Sequence, residues 1–273
     1  VTGFQGVSEY NDVTTIGRGG SDTSAVVLAA ALGASECDIY TDVDGVYTTD
    51  PRQVKHAQKL NIVSYDEMLE LASMGAQVLH PRAVECAKEN NIILHVRSSF
   101  SAEDGTRIKE LSPMELNRAV TGIALKRDEA KISVVGIPDQ PGIAGQLFNQ
   151  LAQHNVNIDM IIQSNEQENE TNSITFTVSE DDFSEAKSIT EAIATSLGAG
   201  EVVGDTNIAK VSIVGVGMIS KPGVAAKMFK TLGDHGVNIQ LITTSEIKVS
   251  CAIESNQADA AVQALHHAFN LHS

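Results

Sequence analysis

Apolar and polar positions follow the same pattern twice in the second half of the chain. The segment Lys131-Ile-Ser-Val-Val-Gly136 reappears as Lys210-Val-Ser-Ile-Val-Gly215, and a Pro-Gly pair follows each segment. Between the Pro-Gly pairs at 141–142 and 222–223 the spacing is 81 residues, and it stays constant through the next predicted strand. A constant spacing over this length indicates an internal duplication.

Each copy predicts a strand, a Pro-Gly turn, an amphipathic helix and a second strand. The first strand is β-branched, which suits a half-buried pleated surface. Apolar residues at helical spacing, such as Ile143, Leu147 and Leu151, give the helix one apolar face. Apolar and polar residues alternate over 171–178, which predicts a strand that pairs as a hairpin partner. The pattern over 182–197 predicts a second helix. The order of elements is βαββαβ, the ferredoxin-like arrangement.

Strands and helices alternate in the first half, which is typical of an α/β sheet. A strand ends near Thr15, glycines follow, and a helix is expected over 23–32. The further elements expected here are a strand over 37–43, helices over 65–74 and 81–89, and a buried strand over 91–97.

Composition narrows the class of protein. The 273 residues suffice for about two domains, and a net charge of −16 argues against nucleic acid or an anionic membrane as partner. No apolar run approaches the ~20 residues of a membrane helix. Three distant cysteines fit neither a disulfide framework nor a clustered zinc site, which suits a reducing cytoplasm. We expect small molecules and other subunits as partners, no protein-bound metal, and a cytoplasmic location.

The chain opens at Val1 without an initiator Met, and we interpret it as a piece of a longer protein.

The glycine-rich segment Gly17-Arg-Gly-Gly-Ser-Asp22 is the first candidate for chemistry. Glycines let the backbone approach an anion, a helix start offers N–H donors, and the Arg18 guanidinium fits a carboxylate or phosphate. The segment is not a phosphate-binding Walker A loop, because the terminal Gly-Lys-Ser/Thr is missing. The alternative is a plain strand-to-helix turn with Ser21 as the N-cap.

Polar residues follow the next predicted strand. Ligands of open α/β sheets lie beyond the carboxyl ends of strands, which places Thr41, Asp42, Tyr47 and Arg52 around a nucleotide. The alternative is that Asp44-Gly45 and Asp50-Pro51 form ordinary surface turns. We interpret His80 and His95 as structural, and no basic neighbour in sequence activates a cysteine.

The duplicated half resembles the ACT domain, a small sensor of amino acids, from about Val120 to the C-terminus. Pro138-Asp-Gln-Pro-Gly142 leads into a helix whose free N–H groups suit an α-carboxylate, and Asp139 suits an ammonium. The alternative is that Asp139 and Asn157 only cap and turn the chain.

The whole chain resembles the aspartate kinase family in its short monofunctional form. Four strings and the two ACT copies carry the resemblance: TTIGRGGSDTSA, YTDVDGVYTTDPR, LHPRAVECAK and LHVRSS. It implies an α/β fold, with part of an amino-acid-kinase α/β/α sandwich followed by two ferredoxin-like ACT domains. The implied divisions are 1–117 for the kinase part, 118–200 for the first ACT unit and 201–273 for the second, which the strand at 120–126 joins.

The same resemblance implies an activity. The γ-phosphoryl of MgATP passes to the β-carboxylate of L-aspartate, the first step towards lysine, threonine and methionine. Asp22 is implied as the catalytic residue, and Arg18, Gly19 and Ser21 bind aspartate. The implied nucleotide-binding residues are Thr41, Asp42, Tyr47, Asp50 and Arg52. The family's opening strand, whose Lys acts on the transferring phosphoryl, is missing, and Gln77 stands where many relatives have a nucleotide-binding Lys. We therefore expect the isolated chain to be inactive.

Feedback inhibition by lysine, threonine or both is implied at interfaces between ACT units of different chains, with a homodimer or higher oligomer. The first copy's implied effector residues are Asp139, Gly142, Ile143, Ala144, Asn157, Ile158, Asp159 and Gln163. Those of the facing unit are Val224, Ala225, Asn238, Ile239, Ser245 and Glu246. On charge grounds a lysine side chain prefers the first set, since Gln240 replaces Asp159 in the second copy. The alternative function is a non-catalytic regulatory chain that binds lysine or threonine. A uridylate or glutamate kinase fits poorly, because tandem ACT units are not expected there.

Overall fold

The computed structural model describes residues 1–74, 78–112, 118–166 and 171–272. Its first part contains β1 (Gln5–Val7), β2 (Val13–Thr15), α1 (Gly20–Ala31), β3 (Glu36–Thr41), β4 (Ile62–Val63), α2 (Tyr65–Ser73), α3 (Pro81–Glu89), β5 (Ile93–Ser98) and β6 (Thr106–Ile108). β1 and β2 form a small antiparallel pair. The other strands form a sheet in the order β3-β5-β6-β4, in which β3 and β5 are parallel.

Three predicted helices are present in this part, with one corrected start. α1 begins at Gly20 rather than at 23, and its N-cap is Gly19 rather than Ser21, without a side-chain cap. The reason is the left-handed backbone of Gly19, which turns the chain into the helix two residues earlier than a serine cap would. α2 begins at the reciprocal Ser64–Glu67 capping box, and α3 begins at Pro81, as expected.

The second part contains β7 (Gly122–Pro138), α4 (Ile143–Gln153), β8 (Ile161–Glu166), β9 (Thr171–Ser179), α5 (Phe183–Leu197), β10 (Val202–Val214), α6 (Val224–Asp234), β11 (Ile239–Thr244), β12 (Lys248–Glu254) and α7 (Ala258–Ala268). Short 3-10 turns at 216–220 and 255–257 precede α6 and α7. The six strands form one antiparallel sheet in the order β11-β12-β10-β7-β9-β8. α4 and α6 end just before a left-handed residue, Asn155 and Gly236, where the sequence predicts the helix ends.

The two βαββαβ units exchange strand segments. Residues 122–126 of β7 pair with 210–214 of β10, beside β12, whereas residues 129–138 of β7 pair with β9. The start of β10, residues 202–205, pairs in turn with 131–134 of β7. Each long strand therefore serves both units, and their two apolar cores lie on either side of this exchange.

The first part of the chain and the second βαββαβ unit share packing. Val54, from a loop of the first part, lies in the apolar core that contains Met228 and Leu265. Ala124 and Val214 lie in the core of the first part. No helix among the described residues has both the length and the apolar character needed to cross a lipid bilayer.

Candidate functional site

Gly17 and Gly19 shape the loop between β2 and α1. Both have positive φ, 84° and 70°, and the N–H of Gly20 donates to the Gly17 carbonyl at 3.1 Å. A Cβ on Gly19 would lie 2.1 Å from Cγ of His80, so only glycine fits there. His80 is itself the N-cap of α3, because its Nδ1 accepts the Arg82 N–H at 3.3 Å. The structural interpretation of His80 agrees with this contact.

Asp22 lies in the first turn of α1 and is half-buried. Burial raises the pKa of its carboxyl, while a hydrogen bond from the backbone of His80 and the charge of that residue act in the opposite direction. Arg18 in the loop and Ser21 in the first turn of α1 are exposed. The loop and the helix start together carry an exposed guanidinium and a partly desolvated carboxyl.

A second group of predicted residues lies at and beyond the carboxyl end of β3. The Thr41 hydroxyl donates to Asp42 at 3.1 Å. Arg52 donates to Asp50 through Nε at 3.0 Å and through its terminal nitrogen at 2.8 Å. These bonds lower the pKa of Asp50 against the opposing effect of its burial. Asp50 and then Asp42 contribute to the raised pKa of Arg52, whose side chain is 90% exposed.

Tyr47 contacts Asp44, a residue that the sequence assigns only to a turn. Its hydroxyl donates to Asp44 at 2.9 Å, and burial followed by this bond raises its pKa. Lys59 lies 3.6 Å from Asp44 and pairs with Tyr47 in a β-bridge. No sequence signal marks Lys59. Within the described ranges, no hydrogen bond or ion pair joins residues 17–22 to Thr41, Asp42, Tyr47, Asp50 or Arg52, and Gln77 lies outside those ranges.

One cluster in the first part of the chain, Glu36, Asp38 and His95, has the donor types of a metal site. His95 is 3% exposed, and its Nδ1 lies 2.9 Å from Asp38 and 3.3 Å from Glu36. Its Nε2 lies 3.0 Å from Asp104, so carboxylates contact both ring nitrogens. The Gly105 N–H also donates to Nε2 at 3.3 Å, and we interpret the cluster as a polar network that supports β3 and β5. Burial raises the pKa of the Cys37 and Cys86 thiols, and that of Cys251 to about 12, as expected for unreactive cysteines.

The starts of α4 and α6 are open. Their N-caps, Gly142 and Gly223, have φ of 94° and 92°, and a Cβ on either would meet no atom within 4 Å. Asp139 accepts a hydrogen bond from Nδ2 of Asn172 at 2.9 Å, which holds it beside the start of α4. The remaining candidate effector residues of the first copy are the half-buried or exposed Ala144, Asn157, Ile158 and Gln163, and the buried Ile143. In the second copy, Val224, Ala225 and Ile239 are half-buried, and Asn238, Ser245 and Glu246 are exposed.

Asp159 has an internal partner. Its carboxylate accepts from Lys210 of β10, which also lies 3.5 Å from the buried Glu129. Burial acts against ionisation of Asp159, but the charge and hydrogen bond of Lys210 outweigh it and the pKa is lowered. Lys131, the counterpart of Lys210, donates to Gln240, the counterpart of Asp159. The residues that follow each acceptor, Met160 and Leu241, share one apolar cluster.

Comparison with known proteins follows the same division. Residues 1–98 match the amino acid kinase family, and residues 132–192 and 211–269 match the ACT domain. The fold and the site thus define a kinase of the amino acid kinase type that carries a tandem ACT module.

The chain belongs to the aspartate kinase family. It is 50% identical over 272 residues to the aspartokinase of Thermus thermophilus, which covers 99% of this chain and 67% of that relative. The chain spans about two thirds of the length of the curated relatives that it matches. The family and the fold class predicted from the sequence are confirmed.

Solved structures agree. The aspartate kinase of Clostridium acetobutylicum is 29% identical, with a TM-score of 0.88 over 98% of this chain and 62% of that one. Aspartokinase III of E. coli has been solved with aspartate and ADP, and with lysine and aspartate. The structure with aspartate and ADP has a TM-score of 0.80 at 30% identity and covers 98% of this chain with 60% of its own length. The structure with lysine and aspartate has a TM-score of 0.75 at 31% identity and covers 98% of this chain with 59% of its own length.

Proposed function

We propose that the full-length protein phosphorylates the β-carboxylate of L-aspartate with MgATP under feedback control by amino acids. The observation that carries this proposal is the 50% identity to an aspartokinase over 272 residues. The glycine loop with Arg18 and Asp22 lies within that match, and its positive-φ glycines at the start of α1 support an anion site there. A relative, E. coli aspartokinase III, has been crystallised with aspartate and ADP.

In this reaction an oxygen of the β-carboxylate attacks the γ-phosphorus, and the bond from that phosphorus to the bridging oxygen of ADP breaks. An acyl phosphate and ADP result. Such a transfer depends on positioning and charge rather than on covalent help from the protein. Arg18 provides a planar fork for a carboxylate of aspartate, while Gly19 and Ser21 bring the backbone N–H groups of the helix start close to it.

The nucleotide lies beside Thr41, Asp42, Tyr47, Asp50 and Arg52 in this proposal. Arg52 suits a phosphate because Asp50 fixes its orientation while its side chain stays 90% exposed. Mg²⁺ bound to ATP as part of the substrate would neutralise phosphate charge. Asp22 would hold this ion, because carboxylate oxygens are the ligands that Mg²⁺ prefers and a nearby cation would offset the burial that raises the pKa of Asp22.

The 273-residue chain by itself is inactive in this proposal. Apolar residues on the outer face of α1 and at its C-cap support this. Val27 and Leu28 of the helix are 51% and 37% exposed and the C-cap Leu32 is 75% exposed, although the helix is apolar on its inner face as well. Tyr40 of β3 is 58% exposed. A helix that is apolar all round is normally buried on both faces, so this surface fits a further layer of the kinase domain.

Hydroxylamine trapping of aspartyl phosphate tests both the proposed reaction and the proposed inactivity of the 273-residue chain. Full-length enzyme and the 273-residue chain are incubated with MgATP and L-aspartate, and the mass of each sample is checked. We expect turnover only from the full-length enzyme. No turnover from either would contradict the proposed reaction, whereas turnover from the shorter chain would contradict its proposed inactivity. A regulatory chain without catalysis, the second candidate, would bind lysine or threonine and give no turnover in any length.

In this proposal lysine, threonine or both bind the ACT units of a homodimer or higher oligomer. The units are divided at 118–200 and 201–273, and residues 120–126 are counted with the second. The open starts of α4 and α6 support it, because their free N–H groups can receive an α-carboxylate. The structure of E. coli aspartokinase III with lysine is consistent with this.

Calorimetry with lysine and with threonine tests the effector site. Asp139→Ala should weaken effector binding, while Asp181→Ala, an exposed carboxylate of the same unit, should leave it unchanged. Equal affinity of the Asp139 variant and the parent protein would remove Asp139 from the site.

A further inference from the structure

The loop that carries the proposed nucleotide residues is fastened to the last helix of the chain. Thr48, next to Tyr47, is fully buried, and its hydroxyl lies 2.9 Å from Nε2 of His266 in α7. His266 is 2% exposed. The two residues are 218 positions apart, so the contact joins the kinase part to the second ACT unit.

Thr48 is held from several sides. Its hydroxyl accepts the Gln58 N–H at 3.0 Å, and its backbone N–H donates to the Gln58 carbonyl at 2.9 Å. Its own carbonyl accepts the N–H of Ile123, in β7, at 2.7 Å. With the hydroxyl oxygen accepting from Gln58, the hydroxyl proton has two acceptors within reach, Nε2 of His266 at 2.9 Å and the Leu271 carbonyl at 3.5 Å, and the shorter contact is the one to His266. A neutral imidazole suits that bond, and burial, followed by the charges of His272 and His56, lowers the pKa of His266.

α7 also holds the loop on the other side of its tip. Gln263, one turn before His266, donates to the Gln53 carbonyl at 3.4 Å, and Val54 packs in the core of the second ACT unit. The anchors at Thr48 and at 53–54 therefore flank Asp50 and Arg52. Because both ends of this short segment are fixed by one helix, a shift of α7 moves the segment as a unit.

We propose that His266 is a positioning residue for nucleotide binding: through its bond to Thr48 it fixes the loop that presents Tyr47, Asp50 and Arg52 to ATP. The inference rests on the proposed kinase activity and adds to it. It predicts that α7 of the second ACT unit affects the affinity for ATP directly and does not affect the binding of aspartate.

Steady-state kinetics of the full-length enzyme test this. We expect His266→Ala to raise KM for ATP about three- to tenfold, the value of one buried hydrogen bond, with KM for aspartate and kcat changed less than twofold. His266→Gln, which can still offer a polar atom near the Nε2 position, should recover most of the loss. His267→Ala is the matched control, since His267 is the next residue of the same helix and is exposed.

A second variant separates positioning from folding. Thr48→Val keeps the volume of the side chain but removes the hydroxyl. If the bond positions the loop, Thr48→Val and His266→Ala raise KM for ATP by similar factors, and the double variant is no worse than either alone. Each variant's ADP affinity is measured by calorimetry on protein that melts cooperatively.

Three outcomes would overturn the inference: an unchanged KM for ATP, equal increases in KM for both substrates, or full additivity of the two substitutions. Inactivity of the parent enzyme would instead contradict the proposed function.

Discussion

Lys210 in β10 and Asp159 before β8 form an ion pair between the two ACT copies, and Lys131 donates to Gln240 in the corresponding place. The duplicated lysine of each copy thus reaches the duplicated acceptor of the other. One pair is charged and the other is not, because only the first copy has an acid at this position. Asp159 is consequently neutralised from within the molecule, which reduces its attraction for a cationic effector.

Replacing Lys210 by Met should destabilise the fold. Lys210 is 5% exposed at its side chain and Glu129 only 1%, so the change removes one of two lysines beside that buried carboxylate, leaving Lys126 at 2.6 Å, and takes away the hydrogen-bonded cation of Asp159. We expect a loss of about 2–3 kcal/mol in the free energy of unfolding, below the full value for a buried pair because Asp159 is partly solvated. Urea unfolding measures it, with Lys230→Met, which breaks an exposed pair with Asp234, as a control expected to lose under about 0.5 kcal/mol.

The loss in the free energy of unfolding caused by Lys210→Met should depend on pH. The pKa of Asp159 is lowered in the folded protein, so the pair stabilises above the unfolded value of 3.8 and this stabilisation is lost as pH falls through the folded value. The difference between parent and variant should therefore be constant near neutral pH and shrink below pH ~4. A difference that is the same at acidic and neutral pH would contradict the pair.

Glu67 should be sensitive even to an isosteric change. Its Oε1 accepts from the Thr121 hydroxyl at 2.6 Å and from the Val216 N–H at 2.9 Å, and its Oε2 accepts from the backbone and side chain of Ser64. Glu67→Gln turns an N–H₂ group towards donors, and each buried donor left without an acceptor costs about 1–3 kcal/mol. We expect a loss of that size in urea unfolding. Asp66→Asn, at the neighbouring exposed position, should lose less than half as much.

The glycine loop offers a matched pair of substitutions. Gly17 and Gly19 both have positive φ, but a Cβ on Gly17 meets nothing within 4 Å and one on Gly19 overlaps His80. Gly17→Ala should cost about 1–2 kcal/mol for the left-handed backbone alone, and Gly19→Ala at least ~1 kcal/mol more. Thermal and urea unfolding decide the order. Equal losses would mean that His80 moves away without cost.

His266 should give stability a second dependence on pH. Burial and then the charges of His272 and His56 hold its folded pKa below the unfolded 6.5, so the unfolded chain binds more protons just below that value. Stability should fall as pH drops through about 6.5. His266→Gln should flatten this slope, and His267→Gln should not. Identical slopes in the parent and in His266→Gln would contradict a buried neutral imidazole.

Local features of the sequence predict much of this structure. The duplication, the left-handed ends after α4 and α6, and the start of α3 at Pro81 follow from spacing and from the conformational preferences of single residues. The start of α1 was misplaced because Gly19, rather than the better capping residue Ser21, adopts the left-handed turn.

Contacts between residues that are far apart in the sequence could not be predicted from the sequence. Thr48 and His266 are 218 positions apart, and Lys210 and Asp159 belong to different copies. Periodicity shows which side chains are buried, but it carries no information on which buried polar groups meet. The same holds for Lys59, whose role beside Asp44 and Tyr47 depends on a β-bridge formed by the fold.

The exchange of segments between β7 and β10 also bears on how the protein can change over evolutionary time. Two copies that merely stood side by side could be lost, swapped or reshuffled independently by recombination. Here, deletion of either copy removes a strand segment from the other. The interlocked repeats can still diverge at single positions, as Asp159 and Gln240 show, but we expect that losing either repeat would unfold the other.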